Sequence, residues 1–303
     1  MDNKEKILFI MNPISGGKKK DLFLSLLERF PDKGNYTVLL RKTEYPGHGS
    51  VIAREAVREG ITKIVAVGGD GTVNEIAKEL ISTNASLGII PFGSGNGLAR
   101  HMKIPMDTAK ALELLKNPAN AAIDAGLING QLFFCTAGLA FDAHIGKIFA
   151  GMKGRGFWGY IRSVVKEYFS YVSEEYEVEI NNRKSRHRAF LITVANAGQY
   201  GNNVYIAPHA EVNDGLLDLC IVKNFHVYCL PSMAWRVFNR TVNKSRYTTT
   251  IRAKTIIVRR KNKGPFHIDG EPFEGDKEFK FEIKTSALKV LVGNTVKDNP
   301  KVK

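Results

Sequence analysis

Three short glycine-rich segments, each directly after an apolar run, carry residue types suited to holding phosphate. They read NPISGGK (residues 12–18), VAVGGDGTVNEIA (65–77) and FGSGNG (92–97). Glycine tolerates positive φ and lets the backbone approach a ligand closely, so Gly68, Gly69 and Gly71 can place amide N–H groups around phosphate oxygens. A helix that begins after such a loop adds its positive N-terminal end. The spacing therefore predicts phosphate binding.

Asp70 is the unexpected member of the second segment, because a carboxylate repels phosphate. It fits there if it holds Mg²⁺ or joins a metal–water network that bridges phosphate oxygens. The alternative is a tight strand-to-helix turn in which Asp70 only caps the helix. Neither G-x-x-x-x-G-K-[ST] nor a complete G-x-G-x-x-G is present, so the sequence supports neither a Walker-type nor a standard dinucleotide site.

The elements that must position these loops alternate through the first 125 residues between short apolar runs and helical patterns. Such repeats predict parallel strands joined by helices, with ligands at the carboxyl ends of the strands. From about residue 129 the pattern becomes strand-rich, with the period-2 alternation typical of antiparallel sheets. We therefore expect an α/β chain with an N-terminal parallel-sheet domain, residues 1–128, and a mainly antiparallel β domain, residues 129–292. Residues 293–303 are free to return to the first domain.

Charge and composition limit the partners. The chain of 303 residues carries a formal net charge of +14. Between Arg236 and Lys263 we count ten Lys or Arg and no Asp or Glu, which indicates either a docking face for anionic partners or a solvated basic surface. The cysteines, Cys135, Cys220 and Cys229, lack metal-ligand spacing and are expected to be buried reduced thiols.

No segment approaches the roughly 18 apolar residues of a membrane span, and the first apolar run is too short for a signal peptide. These features predict a cytoplasmic protein without a transmembrane segment.

Five motifs together resemble the diacylglycerol kinase catalytic family, which groups bacterial soluble lipid kinases with eukaryotic diacylglycerol, sphingosine and ceramide kinases. They are NPISGGK, GGDGTVNE, GSGN, NDGLLD (213–218) and HIDGEP (267–272), in the family's order. The resemblance implies a nucleotide-binding domain related to those of NAD kinases and phosphofructokinases, a β-rich domain for the lipid, and an ATP site in the cleft between them. GGDGT alone is less specific, since NAD kinases and phosphofructokinases share it.

The resemblance assigns roles by matching motif. Glu271 corresponds to the family's general base, with Asp269 beside it and Asp70 at the phosphates. A carboxylate in that place can accept the proton of a lipid hydroxyl, a poor nucleophile at neutral pH, while Mg²⁺ and amides stabilise the transferring phosphoryl group. The residues expected at the nucleotide are Asn12, Ser15, Gly16, Gly17, Thr43, Gly68, Gly69, Asp70, Gly71, Thr72, Asn74, Glu75, Ser94 and Asn96.

Two further assignments concern metal and substrate. Asp214 matches a segment that holds a structural Mg²⁺ in bacterial relatives, and Asp218 is the other candidate; an ordinary Asp-Gly hairpin is the alternative. At the lipid end, Asp142 matches a family aspartate and His144 is the next candidate. The helical stripe from Phe157 to Val172 suits an acyl-chain pocket or plain core packing. Gly97 stands where many bacterial diacylglycerol kinases carry Asp, which makes the third loop more similar to sphingosine kinases.

The function predicted is an ATP- and Mg²⁺-dependent lipid kinase that phosphorylates the hydroxyl of a membrane lipid. Diacylglycerol is the first candidate, and a sphingoid base or ceramide the second. Such an enzyme would be peripherally associated with an anionic membrane surface; a homodimer is left open. The rivals are an NAD kinase-like enzyme for a soluble acceptor and a basic nucleic-acid-binding protein. The latter leaves the glycine loops without a role, and we expect no nucleic-acid partner.

Overall fold

The computed structural model describes residues 4–15, 19–30, 36–141, 143 and 166–294. The chain divides into two compact units, residues 1–123 with 286–303 (unit 1) and residues 124–285 (unit 2). Unit 1 is a parallel α/β unit and unit 2 is mostly antiparallel β, which confirms the predicted fold class.

Unit 1 is built on a parallel sheet in which three of the four strands from the first 123 residues are almost fully buried. The strands are β1 (Glu5–Met11), β2 (Tyr36–Lys42), β3 (Lys63–Gly68) and β4 (Ser86–Pro91), in the order β2-β1-β3-β4. The central strands are almost fully buried, as expected for parallel strands covered by helices. Their carboxyl ends therefore lie at one edge of the sheet.

Five helices connect and cover these strands. They are α1 (Lys19–Glu28), α2 (His48–Arg58), α3 (Asp70–Leu80), α4 (Gly97–His101) and α5 (Thr108–Lys116). Aromatic rings fill the core between α1 and the sheet, with Phe23 5.9 Å from both Phe9 and Phe92 between ring centroids. Helices α3 and α4 begin within a few residues of the ends of β3 and β4, so their N-termini lie at the glycine-rich loops.

Unit 2 is an antiparallel assembly. Its elements are β5 (Ala119–Ile128, which begins in unit 1), β6 (Gln131–Phe133), β7 (Thr136–Ala140), β8 (Glu174–Ile180), β9 (Arg183–Ala195), β10 (Leu217–Lys223), α6 (Leu230–Phe238), β11 (Thr248–Ala253), β12 (Thr255–Arg260), β13 (Gly264–Ile268), β14 (Glu271–Gly275) and β15 (Glu278–Val292, which ends in unit 1). The strand order is β14-β13-β7-β9-β8-β12-β15, and β10 pairs with both β9 and β11. The first residues of β9 pair with β8, and the segment from Ala189 to Ala195 lies between β7 and β10.

The last strand differs from the sequence pattern, which indicated two separate strands, KEFKFEIK and LKVLVGN. The structure has one strand, β15, that continues through Ser286. Ser286 has φ 48°, and beyond it Lys289 pairs in parallel with Ser86 of β4. The polar residues between the two apolar runs hid this continuity.

None of the helices among the described residues is long and apolar enough to cross a membrane. The three cysteines, all among the described residues, form no disulfide; Cys135 and Cys220 are buried, whereas Cys229 is partly exposed.

Candidate active site

The three glycine-rich loops of unit 1 contact one another at the carboxyl ends of β1, β3 and β4. The backbone N–H of Asn12 donates to the carbonyl of Val67 at 3.0 Å, and the N–H of Phe92 donates to the carbonyl of Gly68 at 2.8 Å. The side-chain amide of Asn12 donates to Thr72 Oγ1 at 3.2 Å. The sequence prediction that these loops converge is therefore met within unit 1.

Asp70 lies at the centre of this convergence. Its Oδ2 accepts the backbone N–H of Asn96 at 2.8 Å, and its Oδ1 accepts the N–H of Gly97 at 2.7 Å. Burial raises the pKa of Asp70 above its usual value, and these two N–H groups oppose the shift. The carboxylate thus ties the start of α3 to the start of α4.

The glycines of these loops are explained by close backbone contact. Gly68, Gly69 and Gly71 all have negative φ, contrary to the expectation from their conformational freedom. A Cβ on Gly93 would lie 2.6 Å from the Cα of Gly69, and a Cβ on Gly68 would lie 2.6 Å from the Cβ of Thr72. Only glycine allows this approach, which brings the N–H groups of the third loop to Asp70 in the second.

Asn96 holds the third loop in place. It adopts a left-handed conformation, φ 51°, which asparagine tolerates better than most residues. Its Oδ1 accepts the N–H of Gly93 at 2.9 Å, and its Nδ2 donates to the carbonyl of the same residue at 2.7 Å. The neighbouring Ser94 is exposed and available to a ligand.

Glu75, which the sequence analysis assigned to the nucleotide, instead caps a helix in the structure. Its two carboxylate oxygens accept the backbone N–H groups of Gly47 at 3.0 Å and Gly49 at 3.1 Å, at the start of α2. Ser50 Oγ donates to its carbonyl at 2.9 Å. A carboxylate at a helix N-terminus is favourable because of the helix dipole. Glu75 is therefore a positioning residue that fixes α2 against α3.

The remaining residues predicted to contact the nucleotide differ in their exposure to solvent. Thr43 and Asn74 are buried, and the N–H of Thr43 donates to the carbonyl of Met11 at 2.9 Å. Ser15 is partly exposed, and its N–H donates to the carbonyl of Asn12 at 3.3 Å. Gly16 and Gly17 lie outside the described residues.

In unit 2, the hairpin between β13 and β14 presents the Asp269–Glu271 motif. Asp269 and Gly270 form its two-residue turn with φ 48° and 86°, as a type I′ hairpin turn requires. The Asp269 carboxylate accepts three backbone N–H groups, from Phe134 at 2.9 Å, Cys135 at 2.7 Å and Thr136 at 2.9 Å. Asp269 thus anchors the turn to the segment that enters β7.

Glu271 differs from these carboxylates. It is the first residue of β14, with its backbone opposite Ile268. Its side chain is exposed, and it makes no hydrogen bond or ion pair with any residue that the structure describes. A carboxylate held on a fixed backbone with its oxygens unoccupied can accept a proton from a bound hydroxyl.

The turn rests on a buried polar group that the sequence analysis did not identify. His267, on β13, is buried, and its Nδ1 accepts the N–H of Gly270 at 3.4 Å. The centroid of its ring lies 6.0 Å from that of Tyr200, whose hydroxyl is 2.5 Å from Thr193 Oγ1. Only the position of His267 within HIDGEP could have suggested this contact, because Thr193 and Tyr200 belong to no motif.

Asp214 and Asp218, the candidates for a structural metal, share one guanidinium. Arg252 forms an ion pair with Asp214 and places its Nε 3.6 Å from Asp218 Oδ2. Asp218 is buried, and burial raises its pKa to about 6, with Arg252 as the largest opposing influence. In this arrangement the two carboxylates do not fit a metal ion, because Arg252 takes the adjacent cation position.

No group of three or more His, Cys, Asp or Glu that could hold a metal is present in the described part of the chain. Asp70 does fit Mg²⁺ as a single protein ligand. Each of its oxygens accepts one N–H and keeps a further lone pair, and Mg²⁺ commonly binds one or two carboxylates together with phosphate oxygens and water.

The substrate candidates Asp142 and His144, and most of the predicted aromatic stripe, lie outside the described residues. Tyr168, from the end of that stripe, packs with Phe190 and Phe225, with ring centroids 5.4 Å apart in both pairs. Tyr168 therefore serves core packing, whereas Val172, the last residue of the stripe, is 73% exposed.

Comparisons with known proteins agree with the geometry. The family model described as the diacylglycerol kinase catalytic domain matches residues 6–128. The model described as the YegS C-terminal NAD kinase beta sandwich-like domain matches residues 137–292.

Among curated relatives, the chain is 29% identical over 263 residues to a "Probable lipid kinase YegS-like" of Pectobacterium atrosepticum, covering 84% of this chain and 86% of the relative. It is 28% identical over 279 residues to the "Diacylglycerol kinase" of Bacillus subtilis, covering 86% and 88%. A solved structure of a diacylglycerol kinase from Bacillus anthracis shares the fold, with a TM-score of 0.73, 20% identity, and coverage of 97% and 99%.

Proposed function

We propose, from the premise that the chain belongs to the diacylglycerol kinase-like lipid kinase family, that it transfers the γ-phosphoryl group of ATP to the hydroxyl of a membrane lipid. Diacylglycerol is the first candidate acceptor; a sphingoid base or ceramide is the second. The observation that carries the proposal is the convergence of the loops after β3 and β4 on the carboxylate of Asp70. A site for a nucleoside triphosphate combines glycine-rich loops with a metal-binding carboxylate, and Asp70 lies where two of these loops meet.

Unit 1 would bind the nucleotide. Asn12 and Thr72, already joined by a hydrogen bond, would contact the phosphates, and exposed Ser94 would donate its hydroxyl. Mg²⁺, held by Asp70 with phosphate oxygens and water, would neutralise charge on the transferred group. The close contact of Gly69 with Gly93 keeps both loops in register for this task.

Unit 2 would supply the general base. Glu271 would accept the proton of the lipid hydroxyl as the hydroxyl oxygen forms its bond to the γ-phosphorus and the bond from that phosphorus to the ADP oxygen breaks. This role is supported by its exposed carboxylate, which has no partner among the described residues, on a rigid turn. Asp269 would act indirectly by anchoring that turn through three N–H groups. General bases of this kind contribute about 10²–10⁴-fold to rate.

The acceptor is a membrane component, so we propose a cytoplasmic enzyme peripherally associated with anionic membranes. The basic stretch from Arg236 to Lys263 supports this proposal, because each well-placed Lys or Arg adds roughly 1 kcal/mol at an anionic surface.

The test uses purified protein with radiolabelled ATP, MgCl₂ and a mixed lipid extract. We expect label in the organic phase, and a panel of pure lipids then identifies the acceptor. Loss of transfer in both Asp70→Ala and Glu271→Gln supports the assigned roles. Label that stays in the aqueous phase, for example on NAD, would refute the lipid acceptor.

A further inference from the structure

Helix α6 of unit 2 has apolar residues on two opposite faces. Met233 and Val237, four residues apart, face the protein and pack with the cluster that contains Ile206 and Val222. Ser245 Oγ donates to Met233 Sδ at 3.3 Å. These contacts attach the helix to unit 2 by one side, so its core packing is complete without the other side.

The opposite side of α6 carries large apolar residues that remain in contact with solvent. Trp235 is 60% exposed and Phe238 is 41% exposed. The 3₁₀ turn that precedes the helix adds Val227, 45% exposed, and Tyr228, 71% exposed. Tyr228, Trp235 and Phe238 are spaced by seven and three residues, which places them on one stripe. An ordinary surface helix carries polar residues there. We call these four residues the α6 face.

The charge of the chain segment that contains the α6 face has a single sign. Residues 219–268 contain eleven Lys or Arg and no Asp or Glu. Lys244 and Arg246 follow the helix and are exposed. Arg246 lies over the ring of Tyr247 at 4.8 Å, and Arg240 lies over the ring of Tyr205 at 4.2 Å. The Tyr247 hydroxyl, which accepts a hydrogen bond from Arg246 at 2.6 Å, lies 3.6 Å from the Sγ of Cys229, the residue after Tyr228. Arg246 is therefore held beside the start of α6.

We propose that the α6 face inserts into the interfacial region of an anionic bilayer, with the surrounding Lys and Arg contacting lipid headgroups. Trp and Tyr favour the membrane interface because their rings have an apolar body and a polar group. A helix with aromatic residues on one side and basic residues beside it is typical of such binding. The inference rests on the proposed function for its biological reason, since a lipid kinase must reach a substrate in the bilayer.

The charge argues for a membrane over a protein partner. A second copy docked on the same face across a two-fold axis would bring two basic surfaces together without acidic residues from this region to offset them. Anionic lipid headgroups are complementary at every position of the face.

The first test measures binding to sedimented vesicles of phosphatidylcholine with and without 30 mol% phosphatidylglycerol. We expect binding to the anionic vesicles that weakens in 0.5 M salt. Trp235→Ala/Phe238→Ala should lower the partition coefficient at least tenfold. Lys244→Gln/Arg246→Gln should lower it about 25-fold, roughly fivefold for each charge. The matched control is Leu40→Ala, which removes an exposed apolar residue (37% exposed) from unit 1 and should bind as the wild type does.

The second test reports insertion directly and does not depend on a variant of the face. The sequence has two tryptophans, Trp158 and Trp235, so Trp158→Phe leaves Trp235 as the sole reporter. Its emission should shift to the blue on addition of anionic vesicles and should be quenched by brominated lipid. Unchanged emission under conditions in which the protein sediments with vesicles would overturn the proposal.

The outcomes separate this inference from the proposed function. Trp235→Ala/Phe238→Ala should phosphorylate a short-chain, water-dispersed diacylglycerol at the wild-type rate while losing activity on vesicles. If the wild type binds vesicles through the α6 face but phosphorylates no lipid, the kinase proposal fails and the inference stands. If this double variant binds vesicles as the wild type does, the inference is refuted. If the wild type is a dimer and the double variant is a monomer, the α6 face belongs to an interface with a second copy.

Discussion

Asp269 and Glu271 are two residues apart in one hairpin, yet the structure predicts opposite consequences for neutralising them. Asp269 accepts three backbone N–H groups, whereas Glu271 is exposed and has no partner among the described residues. Asp269→Asn should therefore lower stability, and Glu271→Gln should lower only the rate of phosphoryl transfer.

The cost of Asp269→Asn follows from the geometry. In the wild type, Oδ1 accepts the N–H groups of Cys135 and Thr136, and Oδ2 accepts that of Phe134. The asparagine oxygen can retain the first pair, but its NH₂ group then faces the N–H of Phe134, donor against donor. Losing one charge-assisted bond and leaving a donor unpaired costs about 2 kcal/mol. For a unit of this size that corresponds to a fall in Tm of roughly 4–8 °C.

Glu271→Gln should change the free energy of unfolding by less than about 0.5 kcal/mol, because an exposed side chain without partners contributes little. Removing the general base should lower kcat by about 10²–10⁴-fold. Asp269→Asn retains the base on a loosened turn, so its kcat should fall less than that of Glu271→Gln.

The assay is thermal unfolding of both variants followed by circular dichroism, together with kcat on the same preparations. Asp276→Asn is the matched control, because it neutralises an exposed acidic residue of unit 2. Among the charged groups of the described residues, Asp276 pairs only with Lys263, at 3.4 Å. A wild-type Tm for Asp269→Asn would refute the anchoring argument. Near-normal turnover by Glu271→Gln would remove the general-base assignment.

Three further outcomes follow from the structure. Asp70→Asn should abolish transfer and cost about 1–3 kcal/mol, because one of its two N–H donors loses its acceptor; chemical denaturation and the label-transfer assay measure both effects. Arg252→Ala should destabilise the protein by about 1–3 kcal/mol, since buried Asp218 would lose its nearest cation, and the Tm of the wild type should not depend on Mg²⁺; partial recovery in Arg252→Lys supports the charge explanation. At pH 8 a thiol reagent should modify Cys229 but leave Cys220 unmodified in the native protein, because burial raises the pKa of Cys220 to about 12; mass spectrometry of peptides identifies the modified residue.

The parallel sheet of unit 1 was predictable because β1, β3 and β4 are short apolar runs, almost fully buried, and each is followed by a glycine-rich loop. The regular strand–helix alternation allows few other arrangements. β15 was harder, since the polar residues before Ser286 interrupt its apolar pattern. Its final residues depend on pairing with Ser86, about 200 positions earlier in the chain, which no local pattern encodes.

The loops that form the site could be predicted from the sequence, but the role of each acidic residue in them could not. The motifs identify Glu75 and Asp269 as acidic residues near functional positions. Their partners are backbone N–H groups, which have no sequence signature: those of Gly47 and Gly49 for the first, and those that begin at Phe134 for the second. A backbone donor can be assigned only when the fold is known.

Among the described residues, the carboxylates of Glu75, Asp269 and Glu271 have two different settings. Glu75 and Asp269 bind backbone N–H groups with both oxygens, and such bonds fix loops and turns at a net gain, because charged acceptors strengthen each bond. Glu271 has no such partner and keeps its oxygens available. A general base must accept a proton during the reaction, so any N–H group bound to its oxygens would lower its basicity. A general base must be held in position and must still be able to accept a proton. Asp269 anchors the turn that carries Glu271, and no described N–H group binds the oxygens of Glu271, so this residue meets both requirements.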